Sequence, residues 1–289
     1  MANTWLDGRL VEGPVALDPS DRGLTLGDGL FETIAVFNGR PAYLAPHLGR
    51  LEYGAKLLGI DVARSSIESG ILELVGQDRR ESGILRITIT RGAGGRRLAG
   101  SASEPTRLIT IAPWPKEIAN ASVRLATSSL RRNEHSPASR LKTLSYVDNI
   151  LAAREAIAAG GDDALLLNTA GRVACSTISN LFVIDGIELI TPPLAEGVLP
   201  GIIRARLLGL AKSIGLSAAE RPLNAAELLT TDAVFLTNSV RLIRPVIAID
   251  SIATSRAAYQ HLKSLSDALC ADMAEETGAD PSEMAGINL

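Results

Sequence analysis

The sequence predicts a mixed α/β (α+β) protein made of two halves. Two observations carry this: short β-branched runs alternate with segments of helical spacing, and Pro113-Trp114-Pro115 interrupts the alternation. The implied division is a small α+β domain over 1–115 and a larger domain over 116–289.

In the first half, Leu30 to Phe37 reads as a strand, and the Asn38-Gly39 turn signal folds it back on Pro41 to Leu44. Leu44, Leu48, Leu51, Ala55 and Leu58 recur at three- and four-residue steps and predict an amphipathic helix, followed by a second over Ser65 to Val75. Ile84 to Thr90 and Leu108 to Ala112 are β-branched runs expected as strands, with a flexible loop at Gly92 to Gly95. In the second half come a strand at Val123 to Thr127, a polar loop at Arg131 to Ser139 and a helix over Tyr146 to Ala159. Ala164 to Leu167 and Leu181 to Ile184 are expected strands, and Asp185-Gly186 turns the chain toward Ile187 to Ile190. A helix over Ile202 to Ile214, a strand at Ala233 to Leu236 and a terminal helix over Ser255 to Ala274 follow; the last dozen residues are expected to fray.

Composition narrows the function. Apolar residues make up 46% of the 289, enough to bury a core and exclude general disorder. Lysine and arginine (29) against aspartate and glutamate (32) give a net charge of −3 without a basic block, which argues against nucleic acid as partner. No apolar run is long enough for a membrane span and the start does not read as a secretory signal. Cys175 and Cys270 form neither a metal spacing nor a disulfide framework, and the three histidines are scattered. These features point to a soluble protein of the reducing cytoplasm without a metal site.

Four segments gather small, charged and turn residues where elements end. Asp21 to Thr33 carries three glycines ahead of a strand, open to close backbone approach or to a purely structural loop. Arg140 to Asn149 holds Lys142 on an otherwise apolar stripe. Buried, it would be an amine nucleophile of lowered pKa; the alternative is a side chain that snorkels to solvent. Gly197 to Arg204 opens a helix whose free amides suit a phosphate, although many such helix starts bind nothing. Leu236 to Arg241 follows a strand and either adds donors for the same anion or caps the next element.

Taken in order, these segments resemble the fold-type IV pyridoxal-phosphate enzymes: branched-chain and D-amino-acid aminotransferases and aminodeoxychorismate lyases. The resemblance spans roughly residues 3 to 250. It includes Asp21-Arg22-Gly23 with Gly27-Asp28-Gly29-Leu30-Phe31-Glu32, His47-Leu48-Gly49-Arg50-Leu51, and Thr90-Arg91-Gly92 with Arg96. It continues through Lys142 with Tyr146, Ser179-Asn180-Leu181-Phe182, Leu199-Pro200-Gly201-Ile202 and Thr237-Asn238-Ser239. The resemblance implies a homodimer with pyridoxal 5′-phosphate between a small and a larger domain. Lys142 would form the Schiff base and shuttle the substrate's Cα proton, and Arg50 would pair with the cofactor phosphate. The amides of Ile202 and Ile203, with Ser239, would complete the phosphate cradle, and Tyr146 would contact the cofactor near its ring hydroxyl. Phe31 and Arg96 would shape the substrate pocket.

The chain departs from the family pattern at three places. Ile203 stands where many relatives carry threonine, and Arg97-Leu98 where many carry Gly-Tyr. Cys175 stands where relatives place the glutamate that protonates the pyridine nitrogen. The expected activity is amino-group transfer between an α-amino acid, branched-chain among the candidates, and a 2-oxo acid. The alternatives are an aminodeoxychorismate lyase, to which the Ile243-Arg244-Pro245-Val246 ending is similar, and a cofactor-binding protein whose catalysis has decayed.

Overall fold

The computed structural model describes residues 3–78, 80–95, 97–99, 104–114 and 121–285. The chain forms two compact units. The first comprises Met1–Trp114 with Leu141–Ser145 and Met273–Met284; the second comprises Pro115–Arg140, Tyr146–Asp272 and Ala285–Leu289.

In the first unit, β1 (Thr4–Leu6) and β2 (Arg9–Val11) form a hairpin, and α1 (Arg22–Leu26) is a short helix. After it come β3 (Gly29–Phe37), β4 (Arg40–Pro41), α2 (Leu44–Leu58), α3 (Arg64–Gln77), β5 (Ser82–Thr90) and β6 (Thr106–Pro113). The six strands make an antiparallel sheet in the order β2-β1-β6-β5-β3-β4. Period-2 alternation sends Leu30, Ile34 and Val36 of β3 to one face, where they are buried with Leu48 and Leu51 of α2 and Ile67, Ile71 and Leu74 of α3.

The β1–β2 hairpin and α1 lie in a stretch with no periodic signal. The chain passes from the first unit to the second between Trp114 and Pro115, within the expected linker, and that segment's first residues are part of the first unit's packing. Pro113 is the last residue of β6, paired with Gly83, and Trp114 is buried with its ring 5.1 Å from that of Phe37; Pro115 lies outside the described residues. Apolar area at Trp114 outweighs the local breaker signal. The glycine loop expected to be flexible is tied down as well: Ala93 bridges to Asp21, and Arg22 N–H donates to the Gly92 carbonyl at 3.0 Å.

Leu141–Ser145 adds to the exposed edge of β3. Phe31 N–H donates to the Lys142 carbonyl at 2.9 Å, Leu144 N–H donates to the Gly29 carbonyl at 3.0 Å, and Leu30 bridges to Thr143. The segment therefore belongs with the first unit, although it lies beyond residue 115 in sequence. Gly29 makes this possible. With β5 on one side and the added segment on the other, a Cβ there would run into the Ile89 carbonyl, and would stand 2.8 Å from Leu144 Cδ1 and 3.0 Å from Thr90 Cα.

The second unit contains β7 (Val123–Arg132), α4 (Val147–Ala158), β8 (Asp163–Asn168), β9 (Val173–Ser176), β10 (Asn180–Asp185) and β11 (Glu188–Thr191). They are followed by α5 (Ile202–Leu210), β12 (Ser217–Glu220), β13 (Ala233–Asn238), β14 (Leu242–Ile249) and β15 (Ile252–Ala253). The sheet runs β12-β11-β10-β13-β14-β7-β8-β9, with β9 also pairing with β10, so six strands close on themselves around Leu125, Leu165, Leu181, Val234 and Val246. β14 went unpredicted because Arg244-Pro245 interrupts it; the strand accommodates both with a register shift between Val246 and Ala248. Arg131 and Arg132 extend β7 rather than opening a loop, and the predicted helix over Ile202 to Ile214 turns 3₁₀ from Ala211.

The last helices are α6 (Tyr259–Thr277) and α7 (Pro281–Ala285). The fraying expected at the end is interrupted by α7, where Asp280 accepts the Ser282 N–H at 2.8 Å ahead of a Pro at the first helical position. Among the described residues no helix is long and apolar enough to cross a membrane. Gly29→Val should cost about 1–3 kcal/mol by overpacking. Urea unfolding of the variant checks this, and an unchanged midpoint would show that the edge strand relaxes away from β3.

Candidate active site

Each unit carries part of the predicted residue set. In the first, the edge strand sets Lys142 across from Phe31, on the sheet face away from α2. Lys142 Nζ stands 4.2 Å from the Phe31 ring centroid, and Arg86 Cζ 3.9 Å. Leu141, one residue earlier, points the other way into the helix-covered core. The Lys142 ammonium is pushed down to about 8, chiefly because burial strips it of water. The Glu32 carboxylate opposes that shift, and the Arg50 and Arg86 charges add to it.

Glu32 sits on the core face of β3 beside Leu30 and Ile34, 1% exposed. Its partners come from α2, where His47 and Arg50 stand three residues apart on one helix face. Arg50 donates from Nε to Oε1 at 2.8 Å and from Nη2 to Oε2 at 2.6 Å; His47 Nδ1 lies 2.7 Å from Oε2. Burial alone would raise the Glu32 carboxyl, but the Arg50 and His47 hydrogen bonds overcome it and hold it at about 2. Burial pushes the His47 imidazole down, against the pull of Glu32. Neutral His47 then donates Nδ1–H to a carboxylate that stays ionised. The sequence reading gave no role to His47 and none in the chemistry to Glu32. A charged residue in phase with the buried positions of a strand was the available signal.

In the second unit, Ile202 and Ile203 are the first residues of α5, whose cap residue Gly201 offers no side-chain acceptor to the open amides. Asn180 Nδ2 donates to the Leu199 carbonyl at 2.9 Å, and its Oδ1 occupies the space a Cβ on Gly201 would need. Asn180 pairs in register with Thr237 across β10 and β13, and the Thr237 hydroxyl is buried with no hydrogen-bond partner. Asn238 Oδ1 accepts from the Val240 and Arg241 amides at 3.0 and 2.7 Å and so shapes the Ser239 turn. Tyr146 is the cap residue of α4.

Cys175 on β9 pairs with Asn180 and Leu166 and is buried among Ala126, Ala152, Ala156 and Ala164. Burial pushes its thiol up, and the Arg132 charge counters only part of this. Arg96 lies outside the described residues. Lys142, Phe31 and Arg50 thus gather in the first unit, and Tyr146, Cys175, Ile202, Ile203 and Ser239 belong to the second.

Residues 29–249 match the model of the family described as amino-transferase class IV. The chain is 32% identical over 252 residues to the D-alanine aminotransferase of Bacillus licheniformis, covering 84% of this chain and 87% of that protein. The solved 4-amino-4-deoxychorismate lyase of Pseudomonas aeruginosa superposes with a TM-score of 0.83 at 34% identity, over 93% of this chain and 99% of that one. The branched-chain aminotransferase of Thermoproteus uzoniensis, solved with norvaline, gives 0.86 at 28% identity, over 95% and 96%. The chain is an enzyme of the class IV aminotransferase family and has its fold-type IV architecture. The cofactor of this family is pyridoxal 5′-phosphate.

The residues on hand suit that group: an amine of lowered pKa, an uncapped helix start for a phosphate, and an orphaned hydroxyl at Thr237. The Glu32 network also makes stability depend on pH. Its folded carboxyl lies below the ordinary 4.5, so the stabilisation is complete above pH 4.5 and disappears as pH falls toward 2. Glu32→Gln should therefore lose roughly 3 kcal/mol at neutral pH, and the gap to wild type should narrow between pH 4.5 and 2. Denaturant titrations across that range check the sign; a gap independent of pH would contradict it.

Proposed function

We propose that this enzyme is an aminotransferase acting on an α-amino acid with a 2-oxo acid as acceptor. The observation that carries the reading is the Lys142 amine, lowered to about 8 and backed by a Glu32 that is ionised at neutral pH, because amino-group transfer needs a base that gains and gives up a proton near neutral pH. When bound, the cofactor supplies an electron sink for charge developing at the substrate Cα. Lys142 would hold the cofactor aldehyde through Nζ and afterwards carry the Cα proton on the same atom. Arg50 would face the phosphate as a guanidinium whose Nε and Nη2 are already fixed by Glu32. The Ile202 and Ile203 amides would receive phosphate oxygens, with Ser239 beside them, and Ile203 contributes no hydroxyl. Phe31 would form a wall beside the amine, and Arg96 would take a substrate carboxylate. Tyr146 would reach the ring hydroxyl, and a homodimer in the cytoplasm is the expected setting.

A second reading, aminodeoxychorismate lyase releasing pyruvate and 4-aminobenzoate, is favoured by the identity of 34% to a solved lyase over nearly the whole chain. One experiment separates the two. Holoenzyme mixed with a panel of α-amino acids and no acceptor should release up to one equivalent of 2-oxo acid per subunit. Pyruvate and 4-aminobenzoate from aminodeoxychorismate, with no 2-oxo acid from any amino acid, would select the lyase.

Borohydride reduction and peptide mapping should mark Lys142, and a mark on another lysine would overturn its assignment. Lys142→Ala should lower turnover by roughly 10²- to 10⁴-fold or more. At Cys175 the chain presents a neutral thiol, which would offer a bound cofactor's ring nitrogen no anion to keep it protonated. Cys175→Glu should then raise the rate of 2-oxo acid release by roughly tenfold or more, one pKa unit being a factor of ten. An unchanged rate with cofactor still bound would show that position 175 does not tune the ring.

A further inference from the structure

Arg22 is a buried cation that the proposed chemistry does not use. It is the first residue of α1, and its side chain is 4% exposed. Nε donates to Asp28 Oδ2 at 2.9 Å, Nη1 to the carbonyls of Gly95 and Arg97 at 2.9 and 2.8 Å, and Nη2 to the carbonyl of Leu98 at 2.9 Å. Three of its four bonds therefore end on one short loop. Asp28 is held in turn by Arg91, which donates from Nε at 2.7 Å and from Nη2 at 3.1 Å, and Arg91 also reaches the carbonyls of Leu58 and Gly59 at the end of α2.

A guanidinium suits this task because its donors diverge in a fixed plane, so one group spans three carbonyls and a carboxylate. The loop it holds leads away from Thr90, the residue of β5 paired with Gly29. Gly29 also accepts the Leu144 amide, so the loop and the Lys142 segment leave the same end of one sheet. Within the loop, Leu98 is 82% exposed. Packing does not fix the backbone there, which leaves that task to hydrogen bonds.

We propose that Arg22 is a positioning residue whose hydrogen bonds lock the Gly95, Arg97 and Leu98 backbone and thereby set which substrate side chains the enzyme accepts. This rests on the reading of Lys142 as the reactive amine. Arg22 touches no reacting atom in the proposal. Its effect is on where the loop backbone stands and how far Leu98 projects. Lysine retains the charge but concentrates its donors at one point, so it can serve only part of the set.

Holoenzyme carrying Arg22→Gln or Arg22→Lys tests the lock in two independent ways. Trypsin under native conditions should cut after Arg97, whose carbonyl Arg22 holds, faster in the glutamine variant than in wild type, with lysine between them. The KM for the preferred amino acid should rise about ten- to hundredfold, the range expected from a misplaced positioning element, with kcat and cofactor absorbance retained and the preference among amino acids flattened. Leu98→Ala leaves the lock intact at an exposed position and should shift the side-chain preference without adding a tryptic site; it also stands in if the Arg22 variants do not fold. Equal cutting in wild type and variants would overturn the lock whatever the substrate. Faster cutting with unchanged KM and preference, or an unchanged preference in Leu98→Ala, would overturn the link to specificity. A wild-type enzyme that converts no amino acid would instead refute the reading of the site, and the trypsin comparison would still decide the lock.

Discussion

Two backbone hydrogen bonds place the amine: Phe31 N–H to the Lys142 carbonyl, and Leu144 N–H to the Gly29 carbonyl. They make five residues distant in sequence an additional strand of the first sheet. Strand alternation then does the rest, sending Leu141 into the helix-covered core and Lys142 over Phe31. A one-residue slip would reverse both, burying the amine among leucines and exposing a leucine in its place. Register is protected by Leu141, which joins a core that includes Leu30 and Leu48. The place of the Lys142 amine is thus specified by apolar packing on the opposite face of the same strand.

The charges around this strand form a set in which each group limits the others. A carboxylate as buried as Glu32 is tolerated only with its partners in place, because an unpaired charge there would be neutralised by protonation. Arg50 and His47 supply three hydrogen bonds and keep it ionised. Lys142 feels Glu32 as attraction and Arg50 and Arg86 as repulsion, and burial outweighs them all. The amine is consequently near its midpoint at a pH where a surface lysine would remain almost wholly protonated. Desolvation lowers the amine, and the Glu32 carboxylate limits how far that goes.

Much of this was legible in the sequence where the signal was local. Helix α2 follows the spacing of Leu44, Leu48, Leu51 and Ala55, and β3 and β5 follow β-branched runs. Strand β9 is four residues long and β14 is broken by Arg244-Pro245, and neither shows a period long enough to read. They exist because a ring of six strands pairs both of their edges. At Pro113-Trp114 the breaker signal falls where the chain passes from the first unit to the second, although Pro113 still pairs with Gly83 and the Trp114 indole is buried. The burial of Lys142 was legible from its apolar neighbours, and its proposed role from order along the chain. Arg22, Asp28 and Arg91 lie in segments that the order along the chain also singles out, but their pairing is not legible there, since the carbonyls of Leu58, Gly59, Gly95, Arg97 and Leu98 that they hold come together only in the fold.

The same distinction between local residue and folded surroundings applies to Cys175. The side chains of its cluster are apolar: Ala126, Ala152, Ala156 and Ala164, with Leu166 and Val198. Arg132 is the cation whose field reaches the thiol, yet its Nε is committed to the Gly197 carbonyl at 3.1 Å and its Nη2 to the Ser139 carbonyl. A carboxylate placed at 175 would therefore find an apolar wall and a guanidinium turned toward backbone. Ionised, it would need a positive group on the remaining side; protonated, it would be as neutral as the thiol. The thiol suits these surroundings without either condition. Position 175 thus lies in an apolar environment that accepts a neutral side chain, and the charge of an acid placed there would depend on what binds beside it.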